Sequence, residues 1–160
     1  MKPRLYMETT IPSLLTARPS KLIKARAQQE AAKEWWDKAS HLYQIYCSEV
    51  VLAEVRGGEA QKAAEREAIV TQFPFLPVTA EIERLAEAIF NIGVIPHGSA
   101  ADATHLALAA VHKMDYLFTN NMKHICNMQL KPRFEAVCRL ANYAFPIICN
   151  PEQILAMPPP

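Results

Sequence analysis

Four short stretches of this chain carry side chains from which a reactive site could be assembled. In "RLYMETTIPS", Glu8 closes an apolar run and two threonines follow it. Glu54 lies in "SEVVLAEVRGG", and Asp102 lies in "AADATHLALAA" with His105 three residues on. The fourth, "YLFTNNMKHI", leaves a run of strand-forming residues through Thr119, Asn120 and Asn121 before Lys123 and His124. Acids so far apart in sequence can act together only if the fold gathers them. Two unit charges about 4 Å apart repel by roughly 4 kcal/mol at a typical effective dielectric, so three clustered carboxylates call for a cation. An oxygen-rich set of this kind suits Mg²⁺ better than imidazole ligands do.

Each stretch also has an ordinary structural reading. Glu8 precedes a short helix beginning near Ile11 and Pro12, which Thr9 or Thr10 could cap; a carboxylate there gains about 0.3–1 kcal/mol from the helix dipole. Ser48 is a good N-cap for a helix from Glu49 to Val55, on which Glu54 would be a routine surface acid. Ser99 followed by Asp102 is close to a capping box for an alanine-rich helix, with His105 on the same face as Asp102. Asparagines at a strand end commonly form turns.

The elements that must position these residues alternate. Strand character appears at Arg4 to Met7, Tyr43 to Cys47, Tyr116 to Thr119 and Pro146 to Cys149. Helical stretches are expected at 21–40, 49–55, 59–72 and 80–92, and through the alanine-rich run that holds Asp102. Strands alternating with helices imply a parallel sheet, and ligands of such sheets collect beyond the carboxyl ends of the strands. The acids follow strands, where they would converge. "FPFLPVT" (Phe73 to Thr79) and "GVIPHGS" (Gly93 to Ser99) read as breaks, and no internal repeat is visible. The expectation is one domain over 1–155, with 156–160 a proline-rich disordered tail.

Composition narrows the function classes. The chain has 160 residues, 51% of them hydrophobic, which suffices for one substantial core. A formal net charge of +1 gives no global attraction to polyanions, so nucleic-acid contact would need a local basic patch. Candidates are Lys21, Lys24, Arg56 and Lys123, with Arg18, Arg26 and His124 nearby in sequence. Cys47, Cys126, Cys138 and Cys149 form no C-x-x-C pair and read as buried free thiols. No signal-peptide pattern or membrane-length apolar run is present, so a cytoplasmic location and no membrane partner are expected. In "KEWWDK" the adjacent Trp35 and Trp36 must point to different helix faces, one toward the core and the other toward an oligomer contact.

Taken in order, "YMETTIPS", "SEVVLAEVRGG", "AADATHLALAAVHKMDYLFTNN" and "MKHI" resemble the PIN-domain family, in particular its VapC-like group. With the helices between them these segments span Arg4 to about Cys149. The resemblance implies a three-layer α/β/α sandwich with a central parallel sheet, and a Mg²⁺- or Mn²⁺-dependent ribonuclease whose acids meet at one end of that sheet. Carried onto this sequence, Glu8 takes the place of the first-strand acid, Glu54 that of the helix glutamate and Asp102 that of the aspartate opening the later helix. Asn121 falls where a fourth acid commonly lies, and Thr10 matches a hydroxyl residue two positions after the first acid. Catalytic residues would thus be Glu8, Glu54, Asp102 and Asn121, with Glu8, Asp102 and Glu54 as metal ligands and Thr10 and His105 supporting.

This sequence departs from the family pattern twice. Glu8 is a methylene longer than the usual aspartate, and Asn121 lacks a charge. Three anionic ligands suffice for one ion and leave a stable pair of ions doubtful. The implied function is hydrolysis of single-stranded or structured RNA, as the toxin of a toxin–antitoxin pair, by a homodimer with an antitoxin partner. The alternative is a catalytically weak module that binds nucleic acid or protein.

Overall fold

"RLYM" shows why the sheet lies inside the molecule: Leu5, Tyr6 and Met7 are all buried, so both faces of this strand are covered. The structure is a computed structural model describing residues 1–160. Its strands are β1 (Arg4–Met7), β2 (Gln44–Ser48), β3 (Phe75–Leu76), β4 (Tyr116–Phe118) and β5 (Ile147–Cys149). They pair in the order β3-β2-β1-β4-β5, every neighbour parallel. Chain order reverses direction at β1, which pairs β2 on one side and β4 on the other. The crevice beyond its carboxyl end is therefore the topological switch point.

The helices are α1 (Thr10–Thr16), α2 (Ile23–Lys38), α3 (Glu49–Val55), α4 (Ala60–Val70), α5 (Ala80–Phe90), α6 (Ala101–Val111), α7 (Lys131–Leu140) and α8 (Pro151–Ala156). They fall into two groups: α2 packs on α1 and α8, and α4 on α1 and α3, while α5, α6 and α7 pack on one another. Helix, sheet and helix form the expected three-layer α/β/α sandwich around one hydrophobic cluster. Trp35 is fully buried, its ring 4.3 Å from that of Phe118. Trp36 turns the other way and meets Phe73 edge-on.

Several local expectations need correction. The break at 73–79 contains β3, a two-residue strand hidden between Pro74 and Pro77 that pairs Phe75 with Cys47. Ser99 does not cap α6. It ends a 3₁₀ turn (His97–Ser99) that runs through Ala100, already helical at φ −56°, so the backbone never opens for a cap. Thr9 has helical backbone for the same reason and makes no cap bond, which frees its hydroxyl for another partner. α7 and α8 were not anticipated, although Asn150 and Gln153 form a full capping box. The anticipated boundary at 155 falls inside α8. All four cysteines are buried and free, and burial pushes the Cys47 and Cys149 thiols up to about 12 and Cys138 to about 11. No helix is long and apolar enough to cross a membrane.

Candidate functional site

The pairing of β1 with β4 continues one residue past the strands: the Glu8 amide donates to the Phe118 carbonyl at 3.0 Å. That rung places Glu8 beside Thr119. One carboxylate oxygen of Glu8, Oε2, accepts the Thr119 hydroxyl at 2.7 Å, the Thr10 hydroxyl at 2.5 Å and the Thr10 amide at 3.0 Å. Thr10 also takes the Asn120 amide on its hydroxyl at 2.7 Å, tying α1 to the end of β4. These donors compensate for the burial of a charged group that is only 3% exposed.

Glu54 arrives from α3, whose start is fixed by Ser48 accepting the Val51 amide. Its Oε1 takes the Thr9 hydroxyl at 2.8 Å and sits 2.6 Å from Nε2 of His105. The other ring nitrogen, Nδ1, lies 2.8 Å from the Tyr6 hydroxyl, itself 2.8 Å from Ser48 Oγ. Tyr6 and Glu8 share a face of β1 by the two-residue strand period, and Asp102 and His105 share a face of α6. Asp102 faces His124, with 2.8 Å between Oδ2 and Nδ1. His124 is held in place by its own amide, which donates to the Asn121 side chain at 3.1 Å.

The charges of all three acids act on the His105 ring. Desolvation works to lower the His105 pKa. It is outweighed by the Glu54 hydrogen bond and by the charges of Glu8, Glu54 and Asp102, so the ring is held above its ordinary value. Burial works to raise the Glu54 carboxyl, but the bonds from His105 and Thr9 hold it below the usual range. Burial pushes the Tyr6 phenol well above its ordinary value, so it stays protonated.

Glu54 thus bonds His105, Asp102 lies one turn before His105 on α6, and Glu8 is tied to the same end of the sheet through Thr10, which is bonded directly to it. Asn121 folds the turn that carries His124: its side-chain oxygen accepts the His124 amide and its own amide donates to the Thr119 hydroxyl oxygen. Each acid commits one oxygen to protein donors, leaving Glu8 Oε1, Glu54 Oε2 and Asp102 Oδ1 without a protein partner. Hard oxygen donors of this kind fit a divalent cation such as Mg²⁺ or Mn²⁺ in chemistry. In spacing, no three His, Cys, Asp or Glu side chains come close enough to hold one ion together. The largest cavity, about 660 Å³, lies away from the acids, at the amino ends of β1, β4 and β5 near Pro3, Tyr116 and Ile147.

Of the basic candidates, Lys21, Lys24 and Lys123 are exposed, whereas Arg56 is held by Glu67 at 2.7 and 3.1 Å. The Ser48 cap is as expected from the sequence, but Tyr6, its bond to Ser48 and the Asp102–His124 contact are not. The period-two spacing of Tyr6 and Glu8 was the available signal for the first; the others depend on pairings between distant segments.

No curated protein matches the chain. The PIN domain family model matches residues 20–125, a span that includes Glu54, Asp102, His105, Asn121 and His124 but stops short of Glu8. Glu8 joins the others through the rung between β1 and β4. With well over half of its length matched and an all-parallel five-stranded sheet carrying acids at the carboxyl end, the chain belongs to the PIN domain family, whose members are typically metal-dependent nucleases.

Proposed function

We propose that this protein is a Mg²⁺- or Mn²⁺-dependent endoribonuclease of the VapC-like group, the toxin of a toxin–antitoxin pair, acting in the cytoplasm on single-stranded or structured RNA. The observation that carries this reading is a linkage at the switch point of the sheet: adjacent Thr10 and Thr9 bond Glu8 and Glu54, and Glu54 bonds His105, which lies one turn along α6 from Asp102. Glu8, Asp102 and Glu54 would hold the ion only once their side chains turn the three oxygens that have no protein partner toward one point, since no three ligands meet there in this structure. When bound, it supplies a Lewis acid for the phosphoryl oxygen and lowers the pKa of the attacking water. The protein's own contribution is orientation: Thr10 and Thr119 fix Glu8, His105 and Thr9 fix Glu54, and His124 fixes Asp102.

The assembly proposed is a homodimer with an antitoxin as partner. Trp35 is spent in the core and Trp36 on Phe73, so the apolar surface left on the early helices is Leu22 and Ile23, which are 72% and 89% exposed. Sedimentation at tens of micromolar tests the dimer, and a monomer there removes it.

One observation favours a second reading, a PIN module that binds nucleic acid or protein without cutting it. Two of the three acids face histidines, and no three ligands meet at one point. The deciding experiment pairs thermal melts in millimolar Mn²⁺ or Mg²⁺ with cleavage of single-stranded RNA, for wild type and Asp102→Asn. Asn keeps an acceptor for His124 while removing the charge. The nuclease reading expects a metal-dependent rise in melting temperature and RNA cleavage, both lost in Asp102→Asn with the fold intact. Wild type that neither responds to metal nor cuts RNA leaves the second reading.

A further inference from the structure

A net charge of +1 and an acidic site together pose a problem for any polyanionic substrate: something local must attract it. Cations that could do so gather beside α1. Thr9, Ser13 and Thr16 repeat at i, i+4 and i+7, so they share one face of this short helix. At one end of that stripe the Thr9 hydroxyl is bonded to Glu54. At the other, Ser13 and Thr16 line a cleft of about 390 Å³ between α1 and α4, together with Arg18, Lys62, Arg66 and Glu59. Three cations and one carboxylate line it, and a second carboxylate, Glu65, pairs with Lys62 from outside the lining.

Two of these cations, Lys62 and Arg66, are positioned rather than loose. Lys62 Nζ donates to the Thr16 carbonyl at 2.7 Å and also meets Glu65 at 3.0 Å. Arg66 donates to the carbonyls of Val55, the last residue of α3, and of Gly57 just beyond it, α3 being the helix that carries Glu54. Arg18 is 77% exposed and only loosely paired, 3.5 Å from Glu59. From Thr9 to Thr16 the helix rises roughly 10 Å at about 1.5 Å per residue. A phosphodiester strand lying along the stripe would therefore place the acids and the cationic cleft within one or two nucleotides of each other.

We infer that the cleft formed by Arg18, Lys62 and Arg66 is a phosphate subsite that holds the nucleic-acid strand beside the carboxylates, with Glu59 limiting its affinity. This rests on the nuclease reading for its biological sense but not for its measurement. Binding would come from phosphate contacts, which position a strand without reading its sequence.

The test is fluorescence anisotropy with a single-stranded RNA oligonucleotide and its DNA counterpart, in EDTA so that metal-dependent cleavage is silent. Arg18→Gln and Lys62→Gln should each weaken binding roughly 2- to 5-fold at about 100 mM salt and lower the salt slope by about 0.7. Glu59→Gln removes the anion and releases Arg18, so it should tighten binding, a change of sign that general destabilisation cannot produce. Lys62→Arg should restore binding, and Lys38→Gln, at the far end of α2, should match wild type. Equal loss on RNA and DNA supports a phosphate subsite; loss on RNA alone overturns it in favour of sugar recognition. The inference is also overturned if wild type binds neither strand, or if Arg18→Gln and Glu59→Gln both bind as wild type does. Cleavage by an enzyme whose cleft variants bind normally would discard the cleft and keep the nuclease. Binding that follows these signs without any cleavage would do the reverse.

Discussion

The Tyr6 hydroxyl lies 2.8 Å from Nδ1 of His105, in a part of the core where both residues are fully buried. Glu54 is an acceptor when ionised, so His105 must present N–H to it from Nε2. In the neutral ring Nδ1 is then an acceptor, and the chain of donors runs from Ser48 through Tyr6 and His105 to Glu54. The orientation of a site acid is thus set by a phenol on β1.

Tyr6→Phe tests this relationship. It removes one hydroxyl and leaves a ring nitrogen and a serine in the core without their partner, at a cost of about 1–3 kcal/mol. Urea unfolding should show the loss with an unchanged slope, and the ¹⁵N shifts of the His105 ring should move. An unmoved ring signal would mean that Tyr6 does not set its tautomer.

The His105–Glu54 pair should leave a pH signature. Glu54 is held below its ordinary pKa, so its contribution is present above the unfolded carboxyl value, near 4.3, and is lost as pH falls through the depressed folded value. His105 is held above its ordinary pKa, so its contribution is full below about 6.5 and is lost as pH rises through the raised folded value. Both act together at about pH 5 to 6. The melting difference between wild type and Glu54→Gln should peak there and shrink toward pH 3 and pH 9; a difference flat with pH would show that the pair is not ionised.

Glu8→Gln and Asn121→Asp should act in opposite directions. Gln keeps an acceptor for Thr10 and Thr119, so the fold should survive while metal-dependent cleavage falls on the order of 100-fold. Asp at 121 keeps the oxygen that accepts the His124 amide and adds an acid near the others. Its melting shift in millimolar Mn²⁺ should exceed that of wild type. If calorimetry finds the same metal affinity in all three proteins, neither residue contributes to an ion site.

The thiols should be silent in the folded state. Cys47, Cys138 and Cys149 are buried with their pKa values raised by desolvation, so a maleimide at pH 8 should label them only as fast as the protein unfolds. Rapid labelling of native protein would show that this part of the core opens.

Trp35→Ala should be the most damaging single truncation in α2. The indole is fully buried between Phe118 and Tyr43, and such a loss typically costs about 3–5 kcal/mol. Trp35→Phe should cost less than a simple volume change predicts, because the indole N–H is buried without a partner. Chemical unfolding of the two variants reads both effects.

The sequence by itself determined the kind of fold. Apolar runs at β1, β2, β4 and β5, separated by helical periods, leave little besides a parallel α/β sheet, and strand ends are where its polar residues matter. β3 escaped because two residues between prolines carry no period, and α6 started without its expected cap because Ala100 was already helical. What only the tertiary structure decided is which side chains answer the acids. Thr119 reaches Glu8 across 111 residues, His105 reaches Glu54 across 51, and Lys62 reaches Thr16 across 46. The first follows from the order β3-β2-β1-β4-β5, which brings the ends of β1 and β4 side by side, and the others from helices brought together at the sheet's end and flank, α6 with α3 and α1 with α4. Local propensity acts over a few residues, whereas pairing of distant strands is set by burial of the whole core, so the elements were legible and the partners of the candidate acids were not.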